Sequence, residues 1–251
     1  MDPFALAVLV FARLVGVLSA APGFAARVIP VRVRIGAAVV LTPVLLGLAK
    51  GSAGPMPESW AAVAWLAAKE LAVGLGLGFV ASLLFYGVAM AGQLAGRQAG
   101  FYLGPAFDPR APEPAGFLGS FYYLLAAAVF VSIDGHHWLV SGLARSFEWL
   151  PVTTFLPQMQ AGALAVAGGR MFLAALLVGA PPLVALLVTD VAVAMLSRAV
   201  PAFAPLAAAI AVRPVVGLVA VVLSLPLLAS VISGNVQTIY ASMMALLGGG
   251  P

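Results

Sequence analysis

The sequence predicts an all-α, polytopic, membrane-associated fold of about six hydrophobic helices, and three observations predict it. Charged residues fill 8% of the 251 positions and hydrophobic ones 63%, whereas a soluble domain carries roughly 25% charge. Charge-poor runs of the length that crosses a bilayer core, about 20 helical residues, recur along the chain. These runs lack the polar/apolar alternation of barrel strands, and lipid tolerates only helices or closed barrels because it offers no partner to a bare peptide group.

The first run, residues 4–21, ends in small residues as a secretory signal does. Its leader Met1-Asp2-Pro3 has no positive charge and Arg13 interrupts it, which favours a first membrane helix. The second, residues 35–49, is short. Residues 71–96, 114–133 and 171–189 follow, and residues 214–251 close the series, long enough for one tilted helix or for a hairpin broken at Pro226. Between them, residues 51–57, 104–116 and 151–169 are rich in Gly, Pro or polar residues and read as connectors, none long enough for a separate soluble domain.

With the N-terminus outside, Arg27, Arg32, Arg34, Arg97, Arg110, Arg198 and Arg213 fall on the cytoplasmic side, against Lys50, Arg145 and Arg170 outside. That bias supports this orientation. Pro43, Pro181, Pro182, Pro201, Pro205, Pro214 and Pro226 lie in or beside the apolar runs and each removes a helical donor. The helices are therefore expected to be broken there, with protein neighbours or a water-filled conduit around the freed carbonyls.

Composition also excludes several chemistries. Twelve basic against eight acidic side chains give net +4, but ten of the twelve are scattered arginines, which make no solvated basic face for nucleic acid. Without cysteine there is no disulfide framework, thiolate nucleophile or iron–sulfur cluster. Both histidines fall in Asp134-Gly135-His136-His137. Adjacent histidines on a regular helix do not turn both rings to one metal, for which spacings of three or four are needed, so no metal and no cofactor is expected. No Ser/His/Asp pattern marks a nucleophile and no glycine-rich loop ends in Lys-Ser/Thr; no enzyme is expected.

Three constellations stand out instead. Gly92, Gly96 and Gly100 stand four apart, and Gly74, Gly76 and Gly78 precede them, leaving a strip of backbone bare for a close helix neighbour. Gln93, Arg97 and Gln98 are interleaved with that strip and suit interhelical hydrogen bonds or an aqueous lining. Lys69-Glu70 opens the third run; the helix dipole explains an acid there, and pairing with another helix is the alternative reading. Last, Phe101-Tyr102-Leu103-Gly104-Pro105-Ala106-Phe107-Asp108-Pro109 stays apolar while its prolines stop it continuing as helix. It reads either as an interfacial anchor through Phe101 and Tyr102 or as a constriction folded into a pore.

These stretches resemble the FliR/SctT family of type III secretion export-gate proteins, most nearly its flagellar branch. Ala21-Pro22 followed by Pro30-Val31-Arg32-Val33-Arg34-Ile35-Gly36 is similar to the family's lead-in to its second helix, and Lys69-Glu70-Leu71-Ala72-Val73-Gly74 through Gly78-Phe79 to its third. Gly92-Gln93, Gly96, Gln98, Gly100 and Asp108-Pro109 match its glycine/glutamine helix and the Asp-Pro loop behind it, the most specific of the matches. Asp134-Gly135-His136 with Trp138-Leu139 resembles its NGH.WL turn, and Leu196-Ser197-Arg198-Ala199-Val200-Pro201 its L.SRA.P element.

The resemblance implies a non-enzymatic subunit of the export gate in the bacterial inner membrane, within the flagellar basal body. It implies a single copy assembled with several P-type and Q-type subunits and with the larger export-gate proteins, helping to enclose the pore for unfolded protein substrates. The loop at 101–116 would plug that pore, Gly92, Gly96 and Gly100 would pack helices, and Lys69, Glu70, Gln93, Arg97, Gln98 and Arg198 would line a polar interface or the pore. Residues 1–170 would form the P-type-like region and 171–251 a Q-type-like helical hairpin. It further implies that the assembly lifts much of its helical mass toward the periplasm, so the hydrophobic runs need not all be membrane crossings.

The chain departs from the family in two places. The family's Gly-Phe-Pro and following Lys are replaced by Ala209-Ile210-Ala211 with Arg213 at the Lys position. The plug aromatics of enteric members fall at Leu103 and Ala106, with Phe107 beside them, so a gasket would be arranged differently. A small-solute secondary transporter is the rival reading, and it should show repeated halves broken at corresponding places; the glycine strip at 92–100 has no counterpart in the second half. A membrane scaffold without a pore is a third.

Overall fold

The structure is a computed structural model that describes residues 3–22, 30–55, 57, 59–101, 116–154, 160–199 and 205–248. Among these there are seven helices and no strand: α1 Pro3–Ala20, α2 Val31–Ser52, α3 Trp60–Gln98, α4 Phe117–Ser132, α5 Gly135–Trp149, α6 Ala161–Ala199 and α7 Pro205–Leu246. Five are long and apolar enough to cross a membrane, and the pair α4–α5, bent by 77°, makes a sixth. The all-α, six-segment expectation therefore holds.

Local chemistry sets the helix ends. Pro3 and Pro205 each stand at the first helical position, where a missing N–H leaves no bond unmade. At the end of α3 the Gly100 N–H donates to the Arg97 carbonyl and the Phe101 N–H to the Gly96 carbonyl, each at 3.1 Å. This is a Schellman stop, and Gly100 takes the left-handed φ of 84° that it requires. Between α4 and α5 the bend falls on Asp134, which has a φ of 57°.

One expectation is corrected, and one that held two alternatives is resolved. Pro43, Pro181, Pro182, Pro214 and Pro226 lie inside continuous helices, so the break among the described residues comes at Ile133–Asp134 and not at a proline. A proline removes one donor and crowds one turn, which a long helix with intact turns on both sides survives. Pro201 lies outside the described residues. The last apolar run belongs to one 42-residue helix, α7, and a hairpin arises instead from α6 and α7 together. Their contacts run antiparallel, Asp190 meeting Arg213 and Leu186 meeting Gly217.

The chain divides into two compact units, one of Met1–Leu83, Phe130–Gly169 and Asn235–Pro251, the other of Leu84–Val129 and Arg170–Gly234. In the first, α2 packs on α1 and on α5, and Leu6, Leu9, Leu14, Leu66, Leu77 and Phe147 are fully buried. In the second, the later half of α3 packs with α4, α6 and α7 around Phe85, Tyr122, Leu186 and Leu228. The Tyr122 hydroxyl meets the Ser224 hydroxyl at 2.9 Å, satisfying two polar groups in an apolar core.

Candidate functional site

In the first unit the charged residues of α1 and α3 come together out of contact with the surroundings. Arg13 and Glu70 are both 0% exposed. The Arg13 Nε donates to Glu70 Oε2, Nη1 to the Ser146 carbonyl at 2.8 Å and its hydroxyl at 3.1 Å, and Nη2 to the Leu150 carbonyl at 2.7 Å. The guanidinium lies 4.4 Å from the centre of the Phe147 ring. Lys69 Nζ donates to the carbonyls of Val152 and Thr154 at 3.0 and 2.8 Å, and pairs with Glu70 Oε1 as an ion pair outside hydrogen-bond geometry.

All four carbonyls belong to the last turn of α5 or the turn behind it, where a helix runs out of its own donors. Two cations placed there supply donors and oppose the negative end of the helix dipole. The cluster thus joins α1, α3 and the C-terminus of α5. The dipole explanation for Glu70 is overturned, because α3 begins at Trp60 and Glu70 lies three turns inside it; the pairing reading is the one realised. Arg13 had no role in the sequence reading, and its signal was a lone charge in an otherwise apolar run.

The glycines of α3 do approach other backbones closely. In the first unit a Cβ on Gly78 would lie 2.6 Å from the Val17 carbonyl, and Gly16 and Gly74 face each other across α1 and α3. In the second, a Cβ on Gly92 would lie 2.5 Å from the Leu118 carbonyl and 2.8 Å from the Tyr122 ring. Gly96 is buried on the same face, whereas Gly100 closes the helix. Gln93, Arg97 and Gln98 occupy the opposite, exposed face, so the polar residues and the glycines divide the helix between them.

One of those polar residues ties three helices together. Gln98 Nε2 donates to Asp190 Oδ2 at 3.1 Å, and Arg213 Nε donates to Asp190 Oδ1 at 2.6 Å. Asp190 is the sole acid of α6 and Arg213 the sole charge of α7, so each answers the other in apolar surroundings where an unpaired charge is expensive. Asp190 had no role in the sequence reading. Arg198 is exposed in the last turn of α6, where a cation suits the helix dipole.

Phe101 leaves the Schellman stop 43% exposed. Tyr102, Leu103, Gly104, Pro105, Ala106, Phe107, Asp108 and Pro109 lie outside the described residues, which resume at Gly116. The histidines meet differently from expectation. Asp134, His136 and His137 bring one donor atom each within 4.8 Å of one another, because α5 starts only at Gly135 and the residue before it is left-handed.

Comparison with known proteins places this helical arrangement. The model of the bacterial export proteins, family 1, matches residues 4–239. The chain belongs to that family. It is 32% identical over 225 residues to the flagellar biosynthetic protein FliR of Pectobacterium carotovorum subsp. carotovorum, covering 87% of this chain and 83% of that one. The protein of the same name in Escherichia coli (strain K12) is 30% identical over 196 residues, 75% of this chain and 72% of its own. That of Bacillus subtilis (strain 168) is 29% identical over 206 residues, with 80% and 78% covered. The chain is an export-family membrane protein.

Proposed function

We propose that the chain is a non-enzymatic subunit of the flagellar type III protein-export gate in the bacterial inner membrane, which helps to form and to plug the pore that unfolded substrates enter. The observation that carries the reading is the family match over residues 4–239, together with relatives named for flagellar biosynthesis. Its partners are P-type and Q-type gate subunits and the larger gate proteins. Residues 1–170 take the P-type-like part and 171–251 the Q-type-like hairpin.

Physical features support this reading. α2, α6 and α7 carry long exposed apolar faces, with Val40 71%, Leu187 59% and Leu223 74% exposed, more than a lone chain needs and suited to lipid or neighbouring helices. Gln93, Arg97 and Gln98 give the last turns of α3 an exposed polar face, and in the sequence they are followed by an apolar, proline-stopped segment. A hydrophobic segment seals against ions by excluding water and needs no charged gate.

Co-expression tests the assembly. With its P-type and Q-type partners the chain should purify as one stable complex, and alone it should aggregate or be degraded. A monodisperse, folded product from this chain by itself would contradict the proposal.

A further inference from the structure

We propose that Asp134, His136 and His137 form a binding site for a divalent transition metal at the bend between α4 and α5. The Asp134 Oδ1 lies 3.9 Å from His136 Nε2 and 3.9 Å from His137 Nδ1. The two imidazoles face each other, centroids 4.4 Å apart and planes at 39°, where neighbours on a regular helix diverge by about 100°. Two features make this possible. His136 offers its far nitrogen and His137 its near one, which offsets the rotation between them. Asp134 stands in a left-handed turn ahead of the helix, and its carboxylate makes no capping hydrogen bond, so it stays free to turn back over the rings.

The donor set selects the class of ion. Two imidazoles and one carboxylate suit zinc, nickel or copper(II), whereas magnesium and calcium prefer all-oxygen shells. Metal–ligand bonds of about 2.0–2.2 Å put tetrahedral donors about 3.3 Å apart. The two separations from Asp134 Oδ1 exceed that by less than an ångström, and all three donor atoms lie within 4.8 Å of one another, within reach of side-chain rotations. All three side chains are exposed, 48% to 72%, so an ion enters from solution and water completes its shell. The positive end of the α5 dipole opposes a cation here; the Asp134 charge offsets it. Bound metal would hold Asp134 in its turn and so fix the 77° bend.

The test uses the full chain co-purified with its partner subunits, without a polyhistidine tag, titrated calorimetrically with zinc and with nickel, and with magnesium as the control. The complex carrying both Asp134→Asn and His137→Ala supplies the background, since Asn keeps the left-handed preference and His137 is an exposed side chain. The expected result is one saturable site per chain above that background, no site for magnesium, and weakening of about ten-fold or more by either single substitution. Equal binding by wild type and the doubly substituted complex, or no saturable zinc or nickel binding in the wild type, would overturn the proposal. Unchanged subunit stoichiometry in the variants separates loss of a ligand from loss of the fold.

Discussion

Glu70 is held by charge on both sides, with Arg13 on one oxygen and Lys69 on the other. Removing it strands two buried cations, and breaking a buried pair from one side costs about 3–5 kcal/mol. Glu70→Ala should therefore lower the unfolding temperature of the purified complex sharply or abolish its yield. Arg13→Leu with Glu70→Leu should recover part of the loss, because an apolar pair leaves less charge unpaired. A thermal melt of Glu70→Ala coincident with wild type would contradict the assignment. Lys69-Glu70 drew attention in the sequence as adjacent charges in an apolar region. Its partner lay 57 residues upstream, and no local pattern links positions so far apart. A second residue-scale prediction concerns Asp190 and Arg213, which are partly exposed. A double-mutant cycle on Asp190→Ala and Arg213→Ala should return a favourable coupling of about 1 kcal/mol in complex stability, and additive losses would show that the pair contributes nothing.

At the scale of elements, the last turns of α3 set Gly92 and Gly96 on a buried face and Gln93, Arg97 and Gln98 on an exposed one. A leucine at Gly92 would drive a side chain into the Leu118 carbonyl and the Tyr122 ring, and backbone cannot retreat as a flexible side chain does. Gly92→Leu should lower recovery of the assembled complex, measured by co-purification of the partner subunits. Recovery equal to wild type would contradict the packing argument. The glycine spacing was legible because a bare strip at intervals of four has one physical use in an apolar helix. The start of α3 was not. Residues 60–68 form apolar helix upstream of Lys69-Glu70, and charges in mid-helix looked like a helix opening. Prolines misled for a related reason, since local donor loss says little about whether the rest of a long helix holds its axis.

For the whole molecule, hydropathy and charge sparsity made the all-α membrane class plain, because they are sums over many residues and single errors cancel. Pairings between distant helices, such as Tyr122 with Ser224 or Gln98 with Asp190, depend on the fold itself and left no mark in sequence order. The exposed apolar faces of α2, α6 and α7 are where partner subunits would cover the chain, and the loop that follows the Schellman stop at Gly100 is where it would close the pore. Ion conductance of the assembled complex in planar bilayers tests that closure most directly. Deleting residues 105–109 should leave subunit stoichiometry intact and raise resting conductance above wild type; an intact complex with wild-type conductance after that deletion would contradict the account.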